Sequence, residues 1–248
     1  MSNDLQLPQD VKDLLREELK SQSELEKAPS PMAYISIKGK KFRAGDEKLP
    51  NELYCVIVVA GYDKTYYASP YDPDSPATPS CFAASIEEIA APSNNSPEPQ
   101  SASCLTCPHN VFGSAKIGKG KACKDSRRLI MYSYDKLKSE VDFSQMAQLR
   151  VPSSSLKAFS SYVRTVSLRY GLPYLAVVTK IELDQDSDYP SLVFDYDDTL
   201  NSDEVLKIMS MKPSAIEAAI KTFSPDEDEE KKPVPLSKPS ASQKSKLS

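Results

Sequence analysis

The chain has 248 residues, with 31 lysines and arginines against 35 aspartates and glutamates, and 20 prolines against 7 glycines. This length can bury one sizeable hydrophobic core, and the lack of a run of about 18 apolar residues argues against a membrane-spanning helix. The N-terminus lacks a basic segment followed by an apolar one, so we expect no signal peptide and a cytoplasmic protein. In a reducing cytoplasm, clustered cysteines favour metal binding over disulfides.

The charges of the chain are unevenly distributed. The net charge of −4 argues by itself against a nucleic-acid ligand. However, residues 116–128 contain six lysines and arginines and one acidic residue, Asp125, whereas residues 226–230 are five consecutive acidic residues. A local basic segment can bind a polyanion even when the whole chain is acidic.

The apolar pattern divides the chain into three regions. Residues 1–30 are predicted to form a helical arm, because leucines recur at helical spacing over residues 8–27. The arm either packs on its own domain or binds a partner, which leaves formation of a homo-oligomer open. Residues 31–224 form the main domain, with an insertion at about residues 70–127, and residues 225–248 are predicted to be a disordered tail of acidic and basic residues.

Short strands dominate the main domain. Residues 53–61 are a continuous apolar run, typical of a buried central strand, and include Cys55 as a core residue. Further strands are predicted at residues 33–44, 65–69, 127–134, 146–151, 175–183 and 191–196, and helices at residues 152–171, 201–209 and 214–222. The proline-rich residues 70–99 are predicted to lack regular structure. These elements predict a mainly β (α+β) fold. Their arrangement is compatible with an OB-like five-stranded barrel with a zinc-binding loop insertion and flanking helices, but it is not unique to that fold.

Four of the five cysteines lie in one segment with the spacing Cys81-x22-Cys104-x2-Cys107-x15-Cys123. A CxxC turn lets two thiolates converge on one ion, and two further ligands complete a tetrahedral Zn²⁺ site. Cys81 or His109 is the fourth ligand, and Cys81 is favoured because Cys107-Pro-His109 is a short span for two ligands of one ion. No open coordination position is evident, so the predicted role of the Zn²⁺ is structural. Four unrelated thiols are the alternative.

Residues 116–121, Lys-Ile-Gly-Lys-Gly-Lys, form a flexible basic run between these cysteines. The run is not a nucleotide phosphate loop, because Gly120 stands where that motif needs a magnesium-binding hydroxyl after Gly113-x4-Gly118-Lys119. Lysines on such a loop can follow phosphates, and interleaved aromatic rings can stack on bases. A solvated lysine loop without a ligand, with half of the rings in the core, is the alternative. The predicted nucleic-acid-binding residues are Lys38, Lys40, Lys41, Tyr66, Tyr67, Phe112, Lys116, Lys119, Lys121, Lys124, Arg127 and Arg128.

One further motif is typical of an enzyme. Residues 193–200 match the DxDxT signature of haloacid-dehalogenase-type phosphatases, in which Asp195 would be the nucleophile and Asp197 the acid/base, at the end of a buried parallel strand. That fold places the motif on its first strand, with most of the domain after it, whereas only 48 residues follow Leu200 here. We therefore interpret the segment as a strand that ends in an acidic turn, and we expect no catalytic activity.

The cysteine segment is specific enough to compare with known families. Cys104-Leu-Thr-Cys107-Pro-His-Asn-Val-Phe-Gly-Ser114 and Gly118-Lys-Gly-Lys-Ala-Cys123-Lys-Asp-Ser-Arg-Arg-Leu129, together with residues 34–39, 71–76, 81–82, 99–101 and 150–157, resemble a group of tailed-bacteriophage single-stranded DNA-binding proteins. The resemblance covers about residues 31–210. It implies a role in phage DNA replication or recombination, and it implies Cys81, Cys104, Cys107 and Cys123 as the metal ligands. In that group a tryptophan often occupies the position of Phe112, whereas this chain has no tryptophan.

The sequence therefore predicts a non-catalytic, single-stranded DNA-binding protein with a structural Zn²⁺ and a basic loop that contacts phosphates and bases. The acidic residues 226–230 are expected to compete for the basic groove or to recruit replication proteins. The alternative is a zinc-stabilised protein-interaction or transcription-regulatory module without nucleic-acid affinity.

Overall fold

The computed structural model describes residues 32–69, 78–137 and 146–221. The predicted helical arm at residues 1–30 and the predicted tail at residues 225–248 lie outside the described residues. The described part is a mixed α+β domain with a curled, half-barrel β-sheet and two long helices.

The elements of the described residues run as follows. The strands are β1 (Ala33–Ile37), β2 (Phe42–Ala44), β3 (Glu47–Lys48), β4 (Glu52–Tyr66), β5 (Cys81–Ser85), β6 (Lys124–Ser133), β7 (Met146–Val151), β8 (Val177–Leu183) and β9 (Leu192–Thr199). The helices are α1 (Tyr134–Leu137), α2 (Leu156–Tyr170) and α3 (Ser202–Ile220), with 3-10 turns at Pro108–Asn110, Ser153–Ser155 and Tyr174–Ala176.

The central strand of the sheet is β4, as its apolar run predicted. The pairing order is β3-β2-β1-β7-β6-β4-β8-β9, and β5 pairs with the C-terminal end of β4 beyond the reach of β8. Val56, Ile57 and Val58 are almost completely buried. Because successive side chains of a strand point to opposite faces, β4 supplies core residues to both faces of the sheet.

The sheet curls so that strands from its two ends share one core. A β-bulge between Ile57 and Val59 interrupts the pairing of β4 with β6, and bulges of this kind increase local twist. Lys40, in the turn after β1, donates a hydrogen bond of 2.7 Å to the backbone oxygen of Gln185, in the turn after β8. Phe42 of β2 accordingly lies in the same core cluster as residues of β9.

One face of the sheet is covered by α2, in agreement with the helix predicted at residues 152–171. Phe159, Tyr162 and Val166 of this helix are buried in a cluster that includes Leu129 of β6. Gly171 ends the helix in the left-handed conformation, at a φ of 67°, which glycine adopts without steric cost.

The other face is covered by α3, which is one helix where the sequence predicted two short ones. Asn201 and Glu204 form the capping box at its start. Pro213 lies inside the helix and removes one backbone hydrogen bond. The helix continues through it because buried side chains on both sides of the proline pack on the sheet: Ile208, Met211, Ala215 and Ala219. None of the helices in the three described ranges is long and apolar enough to cross a membrane.

The expected five-stranded barrel is not confirmed, because the described residues form nine strands in one sheet. The strand predicted at residues 33–44 is a hairpin of β1 and β2, with Gly39 and Lys40 at positive φ in its turn. The strand predicted at residues 65–69 is the end of β4, which runs unbroken to Tyr66. The proline-rich stretch that was predicted to lack regular structure contains β5, which gains its hydrogen bonds from β4.

Candidate functional site

Two strands bring cysteines to the C-terminal end of β4 from opposite sides. Cys81 is the first residue of β5 and pairs with Tyr66 of β4. Cys123 directly precedes β6, whose first residue pairs with Thr65 of β4. The strand pairing alone therefore fixes the backbone positions of both cysteines, without a bound ligand.

The loop between β5 and β6 carries the other two cysteines to the same place. The backbone N–H of Cys104 donates to the oxygen of Ala90 at 2.8 Å, and that of Cys123 donates to the oxygen of His109 at 2.8 Å. The CxxC turn then leads into the 3-10 turn at Pro108–Asn110, which places Cys107 beside the sheet.

All four cysteines line one small cavity of about 20 Å³. Their side chains are buried, and none of them forms a disulfide. In the part of the chain that the structure describes, no group of three or more cysteine, histidine, aspartate or glutamate side chains is placed where it could hold a metal ion. A tetrahedral Zn²⁺ would require the sulfur atoms at about 2.3 Å from the ion. Four thiols are nevertheless a donor set that structural Zn²⁺ sites use.

The thiols of this cavity interact electrostatically. Burial raises the pKa of Cys123 to about 11, and the ammonium group of Lys64 opposes that rise. Burial also raises the pKa of Cys104, and the neighbouring Cys81 raises it further. These thiols are therefore protonated at neutral pH, and a cation that binds them must release their protons.

An ion-pair network closes the cavity on the side of the loop. The Asp125 carboxylate accepts hydrogen bonds from Lys64 at 2.5 Å and from Lys121 at 2.8 Å. Burial alone would raise the pKa of Asp125, but these two hydrogen bonds lower it. The side-chain oxygen of Asn110 accepts from both lysines, and its amide donates to the oxygen of Cys104 at 2.7 Å. The network fixes the loop to β4 and β6.

His109, the alternative fourth ligand, also lines the cavity. Its ring stacks on Tyr66, with the ring centroids 4.2 Å apart and 20° between the planes. This stacking gives the imidazole a packing role that needs no metal. It also occupies one face of Tyr66, a predicted base-stacking residue.

The basic loop projects beyond the cysteines. Phe112 is 78% exposed, and the ammonium group of Lys121 lies 5.3 Å from the centroid of its ring. Gly113 and Gly118 adopt φ values of 89° and 79°, which only glycine reaches readily, so the loop turns at these two positions. The turns leave Ile117 93% exposed at the tip.

The predicted lysines differ in their partners. The side chains of Lys119 and Lys124 are exposed, and neither forms an ion pair among the described residues. Lys116 is also exposed and donates to the backbone oxygen of Ala68 at 3.1 Å. The charge of Lys121 is held by Asp125. Tyr67, 44% exposed, follows the end of β4.

The three lysines of the β1–β2 turn lie apart from the loop in sequence and form a second basic group. Lys38 and Lys41 are exposed, and their backbones bond each other across the turn at 3.0 and 3.2 Å. Lys40 is half-buried and is anchored to the β8–β9 turn, as described above.

Arg127 and Arg128, which the sequence predicted to act together, point to opposite faces of β6. Arg128 forms hydrogen bonds of 2.9 and 3.2 Å with both oxygens of Asp63, a carboxylate that is only 4% exposed, and it also bonds the backbone oxygen of Lys221. Arg150 approaches the same carboxylate at 3.5 Å. Arg127 instead lies flat on Tyr62, with its guanidinium carbon 3.2 Å from the ring centroid. Arg128 is thus engaged in holding the end of α3 to the sheet.

Sequence reasoning missed Lys64, Asn110 and Tyr62. The signal available for two of them was the alternation along β4, which places Tyr62, Lys64 and Tyr66 on one face of the strand. The prediction of a strand ending at Gly61 concealed this pattern. No comparable signal marks Asn110, whose role depends on the folded loop.

The DxDxT segment lies in a setting that differs from the phosphatase arrangement. Residues 193–199 belong to β9, which pairs antiparallel with β8 at the end of the sheet. Asp195 and Asp197 are exposed on this strand, and Asp195 lies opposite Lys180. The motif is therefore not at the carboxyl end of a buried parallel strand.

Comparison of the chain with protein-family models, with curated proteins and with solved structures gave no match.

The buried ion pair on the α3 face predicts a large loss of stability on substitution. Asp63→Asn removes the charge that compensates Arg128, and breaking a buried pair in this way typically costs about 3–5 kcal/mol. We expect a loss of that size in the free energy of unfolding, measured by urea denaturation. Asp195→Asn is the matched control, because its carboxylate is exposed on a strand, and it should change stability by less than about 0.5 kcal/mol. Equal effects of the two substitutions would contradict the role assigned to Asp63.

Proposed function

We propose that the chain is a non-catalytic single-stranded DNA-binding protein that acts in bacteriophage DNA replication or recombination. The observation that carries this proposal is the exposure of Phe112 on a loop whose lysines Lys116 and Lys119 are also exposed, as is Lys124 at the start of β6. An exposed ring beside ammonium groups can stack on a base while the charges neutralise the adjacent phosphates. The resemblance of the cysteine segment to tailed-phage DNA-binding proteins supports the same function, and the half-barrel serves as an OB-like scaffold.

A structural Zn²⁺ held by Cys81, Cys104, Cys107 and Cys123 is part of the proposal. Four free, buried thiols around one cavity are the donor set that Zn²⁺ prefers. Four thiolates around a divalent ion carry two excess negative charges, and the ammonium group of Lys64, which acts electrostatically on Cys104 and Cys123, offsets part of them. The ion supplies no chemistry beyond holding the loop.

The acidic residues 226–230 lie outside the described residues and complete the proposal. They recruit replication proteins or compete with DNA for the basic surface, since their charge has the same sign as that of the phosphates.

Removal of one cysteine ligand should remove the metal. We expect about one zinc per chain in the wild-type protein, measured by elemental analysis after gel filtration, and almost none in Cys104→Ala. Cys55→Ala is the matched control, because this thiol is buried in the core away from the cavity and should leave the zinc content unchanged. Since zinc ligation contributes on the order of 10 kcal/mol, Cys104→Ala should also unfold at lower temperature. Wild-type protein without zinc would refute the metal site.

Removal of loop lysines should weaken binding and reduce its salt dependence. A labelled single-stranded oligonucleotide is titrated at several salt concentrations with wild type and with the double variant Lys116→Ala/Lys119→Ala. Because each phosphate contact on a single strand contributes about 0.7 to the slope of log K against log salt, the slope should fall by about 1.4.

The matched control for this titration removes the same charge elsewhere. Lys48 lies on β3 at the end of the sheet and Lys212 lies on α3. The variant Lys48→Ala/Lys212→Ala should therefore bind as the wild type does. If both double variants lose affinity equally, the loop is not the binding surface.

Phe112→Ala should lower affinity by roughly 5- to 150-fold, since base stacking on an aromatic ring contributes about 1–3 kcal/mol. Ile117→Ala removes an apolar side chain of the same loop that has no aromatic face, and it should leave the affinity within about twofold. The same titration measures both variants, and a loss at Ile117 equal to that at Phe112 would show that the ring does not stack.

A zinc-stabilised protein-interaction module is the second candidate function. Four large apolar side chains of the loop are exposed, namely Leu105, Val111, Phe112 and Ile117. Exposed apolar groups of this kind also mark protein-binding surfaces. This function predicts a stable partner and no salt-sensitive binding of oligonucleotides, so the titration above separates the two.

A further inference from the structure

A groove of about 550 Å³ lies between α2 and the strands β4 and β6. Tyr62 and Arg127 form its floor on the side of the strands, and Phe159 and Arg164 line it from the helix. Tyr174 closes one side. This volume lies within the range of about 300–1,000 Å³ that is usual for binding pockets of small organic groups.

The groove is basic and aromatic. It is lined by two arginines and by no acidic residue, as far as the described residues extend. Neither Arg127 nor Arg164 forms an ion pair with a described carboxylate, in contrast to Arg128 on the other face of β6. Burial raises the pKa of the Tyr174 hydroxyl, whereas its hydrogen bond with the backbone of Ala60 and the positive charge of Arg127 oppose this rise. The charge of the groove therefore suits an anion.

Arg127 and Tyr62 are stacked on each other, and both line the groove. The guanidinium carbon lies 3.2 Å from the ring centroid. A guanidinium that is already stacked on one ring offers its other face to a second planar group, as arginines do when they stack on nucleobases. Arg164 is exposed on α2, where it can contact a phosphate next to that base.

The groove and the basic loop lie on the same face of the sheet. Tyr62, Lys64 and Tyr66 alternate along β4 on the α2 face, and they contact Arg127, Asp125 and His109 respectively. Tyr66 lies four residue steps along the strand from Tyr62, a distance of about 13 Å. One extended strand of nucleic acid can therefore pass from the groove to the loop.

We propose that this groove binds a nucleotide of single-stranded DNA, with the base stacked on Arg127 and the neighbouring phosphate paired with Arg164. The inference rests on the proposed function and adds a second contact region that includes Arg164 and Tyr62. Charge favours DNA over an apolar peptide as the occupant. Ile86 and Leu168 at the rim are exposed apolar side chains, and they can contact the sugar of the bound nucleotide.

The test uses two oligothymidylates, one of six and one of 25 nucleotides, titrated into the full chain. Arg164→Ala should weaken binding of both by roughly tenfold, because the groove is the contact that a short strand occupies. Lys116→Ala/Lys119→Ala should weaken the 25-mer far more than the hexamer. Arg169→Ala is the matched control, since this arginine lies on the same helix with its guanidinium 5.5 Å from the ring of Tyr170, and it should have little effect.

Photo-cross-linking gives a second readout that altered folding cannot imitate. With 5-iodouracil in the hexamer, we expect the wild-type protein to form cross-links at Tyr62 or Tyr174. Arg127→Lys keeps the positive charge but removes the planar guanidinium on which the base stacks, so it should reduce these cross-links. Full affinity of Arg164→Ala together with cross-links confined to residues 104–124 would overturn the groove and leave the proposed function intact. Failure of the wild-type protein to bind either oligonucleotide would overturn both.

Discussion

The antiparallel pairing of β4 with β6 determines which charges of the candidate site are available to a ligand. Side chains alternate between faces along both strands, so neighbouring basic residues have opposite surroundings. Arg128 faces α3 and is neutralised by the buried Asp63, whereas Arg127 faces α2 and rests on an aromatic ring. A cluster that looks uniformly basic in the sequence is therefore divided by the sheet into a structural half and an exposed half.

The same constraint explains which parts of the fold the sequence could predict. The apolar patterns of β7 and α2 are local, and both elements were predicted close to their observed bounds. The apolar run of β4 predicted the buried first part of that strand, but the strand continues to Tyr66, five residues past the predicted end at Gly61. By contrast, β5 is a strand only because β4 extends far enough to pair with it. Its surroundings are rich in proline, so the local signal pointed to a loop. Likewise, α3 passes through Pro213 because its buried face continues on the sheet, which no local rule for proline reveals.

The candidate site shows a similar division. The spacing of the cysteines was sufficient to predict that four of them share one place, and all four line one cavity. The partners of the charges could not be predicted, because they come from distant segments. Lys64 and Asp125 are 61 residues apart in sequence, and Arg164 reaches the groove only through the packing of α2 on the sheet. The spacing of the cysteines predicts which of them lie close together, but the sequence does not show which lysines already form ion pairs.

The position of the cysteines suggests why a metal and a polyanion would be linked in this protein. Between Cys107 and Cys123 the loop carries the exposed ring of Phe112, and its described contacts with the rest of the domain include the stacking of His109 on Tyr66, the bond of Lys116 to Ala68 and the network around Asp125. A long loop gains much from closure at its base, because the entropy of its free ends is removed before a ligand arrives. An ion bound by the four thiolates would close the loop at that base while the lysines stay exposed. The metal would then raise the affinity for DNA without contacting the DNA. The entropic cost of ordering the loop would already be met when the single-stranded DNA binds.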